Sequence, residues 1–113
     1  MMNNALELWS KEVDFPVTVC DKDGIIIAMN DKSIELFSED GGAALLGKSL
    51  LDCHPEPSKS KLIHMLKNQL SNTYIETHSD HKRFVHEAPW YSNGEYCGLV
   101  EILIDIPEPD STI

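Results

Sequence analysis

The stretch VTVCDKDGIIIAMN, Val17 to Asn30, decides the fold. Two β-prone apolar runs flank Asp21-Lys22-Asp23-Gly24. Aspartate bonds its own backbone and glycine accepts positive φ, so the four residues read as the turn of a hairpin. Strand one is expected over about Phe15–Cys20 and strand two over about Gly24–Met29, with Pro16 tolerated at a strand's start. Asn30-Asp31 closes the second strand and can cap a helix whose apolar positions, Ile34 and Phe37, lie three apart.

Upstream, Asn4 and Glu7 have the spacing of a capping box, with Leu6, Trp9 and Val13 following three and four apart. Residues 4–13 therefore read as a short amphipathic helix. Downstream, residues 31–50 read as two or three short helices broken by Gly41-Gly42 and Gly47, and Leu50–His54 as irregular. A longer helix follows over about Pro57–Ser71, since proline suits a first helical turn. Leu62, Ile63, Met65, Leu66 and Leu70 lie on one side of it, and Asn72 ends it. Thr73–His78, His81–Tyr91 and Tyr96–Ile106 read as strands, the last two joined across Asn93-Gly94, the strongest short hairpin signal. The order predicts an α+β fold: five antiparallel strands, with helices between strands two and three covering one face. In domain terms this gives an N-terminal helix over 1–14, a core domain over 15–106 and a linker-like tail over 107–113.

The chain has 113 residues, enough for one core without staples, and a formal net charge of −10. That charge argues against nucleic acid and anionic membrane as partners, which need clustered Lys and Arg. Three widely spaced cysteines, Cys20, Cys53 and Cys97, without a CxxC or a signal peptide, read as reduced thiols of a cytoplasmic protein.

The residues then match a family. Val19 to Asn30, Leu45–Leu50 (LLGKSL) and Asn93–Ile106 (NGEYCGLVEILIDI), in that order and spacing, resemble a PAS domain over about residues 10–106. Cys53-His54-Pro55-Glu56-Pro57-Ser58 is similar to a C-H-P-P-x-S segment of one bacterial PAS subgroup. The resemblance implies a five-stranded sheet, a pocket between sheet and helices, dimerisation through an N-terminal helix, and a sensory role in bacterial signal transduction coupled to an effector domain or protein. It does not imply one ligand: haem, flavin, small acids, acyl chains and nothing at all are each used in the family.

Several constellations of chemistry-bearing residues each have a plainer reading. The family's haem branch places its proximal His on the long helix, where this chain has His64. However, His64 points away from the Leu62/Leu66/Leu70 stripe, and a surface imidazole cannot be an axial ligand. His54 lies just before that helix. His86 alternates with Phe84, Ala88 and Trp90 on the more apolar face of its strand, and so is either a polar handle on a ligand or a core histidine bonded to a neighbouring strand. His78, Asp80 and His81 crowd one turn and lack a fourth ligand for zinc. The Asp21 turn has Ile26 and Lys32 where a calcium loop needs Gly and Glu. No nucleophile elbow, phosphate loop or dinucleotide fingerprint occurs, so no enzyme and no metal are expected.

The expected pocket lining is Ile27, Phe37, Met65, Leu66, Phe84, His86, Val100 and Ile102. The apolar positions Leu6, Trp9 and Val13 need a partner, and Leu99 and Leu103, read as outward-facing, are expected to supply it, either within one chain as an intramolecular flap or across the two-fold axis of a homodimer, the dimer being the reading preferred. The function classes left open are a ligand-binding sensor, a haem sensor and a ligand-free adaptor.

Overall fold

The computed structural model describes residues 4–109. Helix α1 covers Ala5–Glu12, strand β1 Val17–Asp21, strand β2 Ile26–Met29 and helix α2 Asp31–Leu36. Three 3-10 turns follow, at Ser38–Asp40, Gly42–Leu45 and Leu50–Cys53, then helix α3 at Ser58–Asn68. Strands β3 (Asn72–Thr77), β4 (Lys82–Ser92) and β5 (Glu95–Ile106) complete one antiparallel sheet of order β2-β1-β5-β4-β3. The expected α+β architecture is thus present, with the long C-terminal strand at its centre. Residues 110–113 of the expected tail lie outside the described residues.

Local chemistry accounts for the elements. Asp21 Oδ1 accepts from the backbone N–H of Asp23 (2.9 Å) and of Ile25 (3.0 Å), and Gly24 takes φ 85°, which closes the first hairpin. Asn30 does more than cap. Its Oδ1 accepts from Ser33 N and Val17 N, both at 2.9 Å, while its Nδ2 donates to Ser10 O (2.8 Å) and Phe15 O (2.9 Å). One buried amide therefore fastens α1, β1 and α2 together.

Two ends differ from the sequence reading. Asn4 makes no side-chain cap, and the first turn of α1 is held by Asn4 O, which accepts from Glu7 N and Leu8 N. Helix α3 stops at Asn68 rather than near Asn72, because Gln69 turns left-handed at φ 54° and returns its N–H to Met65 O. The core lies under the sheet: Cys20 of β1 and Leu99 of β5 pack on Leu62, Met65 and Leu66 of α3.

The sheet presents the reverse face to the helices from the one expected. Leu99 and Leu103 are buried, each 5% exposed, whereas Phe84, His86, Val100 and Ile102 alternate with them on the far side. The dimer contact expected of Leu99 and Leu103 is therefore excluded: both are core residues. The apolar criterion chose the wrong face for a physical reason. The covered face also lines a cavity and carries the polar side chains, and the far face is apolar without a helix upon it.

Candidate functional site

A cavity of about 500 Å³ opens between the inner face of the sheet, the 3-10 turns and the start of α3. Its apolar wall is made by Ile26 and Met29 of β2, Phe37, Leu45, Leu50 and Leu62. Its floor is the sheet, where alternation brings Thr18 and Cys20 from β1, Leu99, Glu101 and Leu103 from β5, Arg83 and Glu87 from β4, and Tyr74 and Glu76 from β3 into one surface. Asp40 and His54 stand on the helical side.

The floor is unusual in its charges. Glu87 and Glu101 are direct cross-strand partners, an arrangement that is unfavourable when both are ionised. Burial, reinforced by Glu87 and Glu76 and by a carboxyl–carboxyl hydrogen bond with Glu87, pushes Glu101 up from the ordinary 4.5 to about 7. Desolvation and the same three glutamates push the Tyr74 phenol up to about 12. Arg83 is the one guanidinium there, and it is engaged: Nε donates to Asp105 Oδ1 at 3.1 Å and Nη1 stands 3.8 Å from Glu76 Oε1. Glu87 accepts from Asn72 Nδ2 at 3.3 Å. The Nδ1 of His54 lies 2.7 Å from Leu50 O, and since a carbonyl only accepts, Nδ1 is the donor of that bond.

Of the expected lining, Phe37 borders the cavity. Met65 and Leu66 are buried in the core cluster beside it without bordering it. Ile27 is 47% exposed on the edge strand. Phe84, His86, Val100 and Ile102 lie together, but on the outer face, where His86 Nδ1 bonds Thr73 Oγ1 at 2.7 Å. In the expected dimer helix, Leu6 is 86% exposed, Trp9 tilts against Phe15 with ring centroids 6.2 Å apart, and Val13 is half-buried.

The polar floor was missed because each acid alone looks like a solvated strand residue. The signal lay in register. Across the Asn93-Gly94 turn Ser92 pairs with Glu95 and Tyr91 with Tyr96, which continued unbroken would set Glu87 opposite Val100. A bulge leaves Cys97 unpaired and sets Trp90 opposite Gly98, so that Glu87 meets Glu101 instead.

The histidine of the long helix is not placed to ligate a haem in this cavity; the imidazole that borders it is His54. His64 is exposed, close to Asn68, and away from the lining. Asp40, Glu76, Glu87 and Glu101 against Arg83 would repel the porphyrin's propionates. At the β3–β4 turn His78 and His81 stack with centroids 4.7 Å apart, and His81 Nδ1 lies 2.6 Å from Asp80 Oδ1. No group of three His, Cys, Asp or Glu among the described residues could hold a metal ion. The three cysteines are free, and only Cys20 is buried. No helix among the described residues is long and apolar enough to cross a membrane.

A five-stranded antiparallel sheet with helices enclosing a cavity on one face defines a class, and the sequence comparison agrees with it. The family model described as PAS fold matches residues 10–109, and the chain belongs to that family. Among solved structures, it is similar to the PAS domain of BvgS from Bordetella pertussis (22% identity, TM-score 0.66, covering 95% of this chain and 90% of that one). It is also similar to the Aer2 receptor of Vibrio cholerae, described as a dual PAS-heme oxygen sensor (21%, TM-score 0.63, covering 82% and 95%). A third likeness is to a sensory box sensor histidine kinase from Vibrio cholerae (19%, TM-score 0.58, covering 89% and 87%). No curated protein sequence matches the chain.

Proposed function

We infer that this chain is a sensory module of signal transduction that takes a small molecule into the cavity under the sheet and works by binding rather than by catalysis. The cavity carries this reading: its volume of about 500 Å³ falls in the range of small-molecule sites, and its wall is apolar with a few convergent polar groups. The similar chains from a receptor and a sensor kinase support it. The reduced cysteines suit a cytoplasmic setting. Native mass spectrometry of the purified full chain tests it. A retained or exchangeable small molecule, lost when Leu45→Trp fills the cavity, is the expected result. A chain that takes up no small molecule from metabolite extracts would be an adaptor instead.

A homodimer is the second part of the reading, now on different residues. Val100, Ile102, Phe84, Ile75 and Ile104 form an apolar outer face, with Ile75 57% and Ile104 44% exposed. Leu6, Leu8 and Trp9 on α1 are exposed as well. A second copy joined across a two-fold axis covers both sets at once, since each is present on each chain. A ligand below the sheet then signals by shifting how its far side packs on the partner, read out by an effector domain or protein.

A further inference from the structure

The charged groups of the cavity are acids but for Arg83, and its neutral donors include the hydroxyls of Tyr74 and Thr18, the latter bonded to Ser33. Asp40, Glu76, Glu87 and Glu101 are carboxyls, and His54 Nε2 makes no hydrogen bond among the described residues. The one strong donor, Arg83, is already shared between Glu76 and Asp105. Glu101 sits on the central strand with Thr18 opposite it on β1 and Glu87 on β4. Among the described residues it forms no ion pair, and only the neighbouring acid offers it a hydrogen bond. An acid pair held at the middle of a sheet costs stability, because like charges face each other in a poorly hydrated place. A proton held between the two acids relieves that cost at low pH, and a bound cation would relieve it where both acids are ionised.

We propose that the cavity is a receptor site for a small organic cation, an ammonium, amidinium or guanidinium on an apolar body, whose donors are taken by Glu87 and Glu101 while its body packs on Phe37, Leu50 and Leu62. This rests on the reading of the cavity as a ligand site and names the ligand's class. A bare metal ion is not the occupant, since no three ligating side chains come together among the described residues. A carboxylate ligand meets four acids and one spent arginine. The apolar wall and volume ask for a molecule with a hydrocarbon body rather than a simple inorganic ion. Binding displaces the proton that the acid pair holds. The charged and titratable groups that line the cavity with Glu101 are Cys20 from β1, Glu87 and Arg83 from β4, Tyr74 and Glu76 from β3, and Asp40, Cys53 and His54 from the helical side. Arg83 alone opposes proton retention, and it is engaged. Affinity therefore rises from about pH 6 to about pH 8 as the proton leaves.

The test is a thermal-shift and calorimetric titration of the full chain with paired probes: 2-phenylethylammonium and benzamidinium against 3-phenylpropionate, benzoate and 2-phenylethanol. The proposal expects the cations to bind, the anions not to, and the alcohol to bind more weakly. Proton release should appear as a dependence of the heat on buffer ionisation enthalpy. Glu101→Gln and Glu87→Gln should each weaken the cations roughly ten- to a hundredfold, the loss of one charge-assisted contact. Glu95→Gln on the exposed β4–β5 turn, which removes the same charge, should change nothing. Anions or the alcohol binding as tightly as the cations, or unchanged cation affinity in both Gln variants, overturns the cation assignment and leaves the cavity a ligand site. No binding by any probe removes both.

Discussion

Glu101 is the residue on which burial and charge conflict most openly. Its folded-state value, about 7, lies above the ordinary 4.5, so the native fold favours its protonated form. The contribution is fully present below about pH 4.5 and is lost as pH rises through about 7, the opposite of a salt-bridged acid. Glu101→Gln should match the parent in denaturant melts near pH 4 and exceed it near pH 8 by on the order of 1–3 kcal/mol. A constant difference across that range would show that ionisation is not the cause. Tyr96 is a second case of conflict. Its hydroxyl is buried with no hydrogen-bond partner among the described residues. Tyr96→Phe should therefore be neutral or stabilising by up to about 1 kcal/mol in urea unfolding, where the loss of a satisfied hydroxyl would cost about that much. Neither role is legible in the residue alone, since a glutamate in a strand and a tyrosine in a strand are both ordinary surface residues until the register and the layer above them are known.

Among the elements, the joint between α1, β1 and α2 and the bulge in β5 position the rest. Asn30→Ala removes four hydrogen bonds and leaves Val17 N–H and Ser33 N–H without their acceptor, so a loss of about 2–4 kcal/mol is expected in chemical denaturation. Asn30→Asp keeps the acceptor and should fall between. Gly98 follows the bulged Cys97 at φ 145°, and a Cβ there would meet Cys20 O at 2.1 Å. Gly98→Ala must separate β5 from β1, at a cost of at least about 2–3 kcal/mol, checked by thermal melting. Strand and helix existence was readable from period and turn residues: the Asp21 turn, Asn93-Gly94 and the α3 stripe each announced their element. The bulge did not announce itself. One extra residue between Tyr96 and Gly98 reverses which face of β5 each side chain joins, and the Glu87–Glu101 pair exists because of it.

The whole molecule decides which face of the sheet is which, and two substitutions one residue apart read it out. Leu103→Glu places a charge in the core, where the side chain is 5% exposed, and should unfold the chain or cost more than about 3 kcal/mol by circular dichroism. Ile102→Glu lies on the outer face and should leave the fold intact while shifting light-scattering mass from dimer to monomer. The reverse pattern would restore Leu103 to the outside and end the present assignment of faces. Period-two alternation, the Asp21 and Asn93-Gly94 turns and the resemblance to PAS domains were sufficient, from the amino-acid order alone, for the five strands, the α+β class and the family, because alternation and turn chemistry are written between near neighbours in the chain and the order and spacing of those segments carry the resemblance. Which side of the sheet the helices cover, and therefore that Thr18, Glu87 and Glu101 rather than His86 and Ile102 face the cavity, was settled only in three dimensions. Alternation divides a strand into two sides without saying which is inside, and that choice belongs to the path of the chain from β2 through α3 and to one bulge at Cys97.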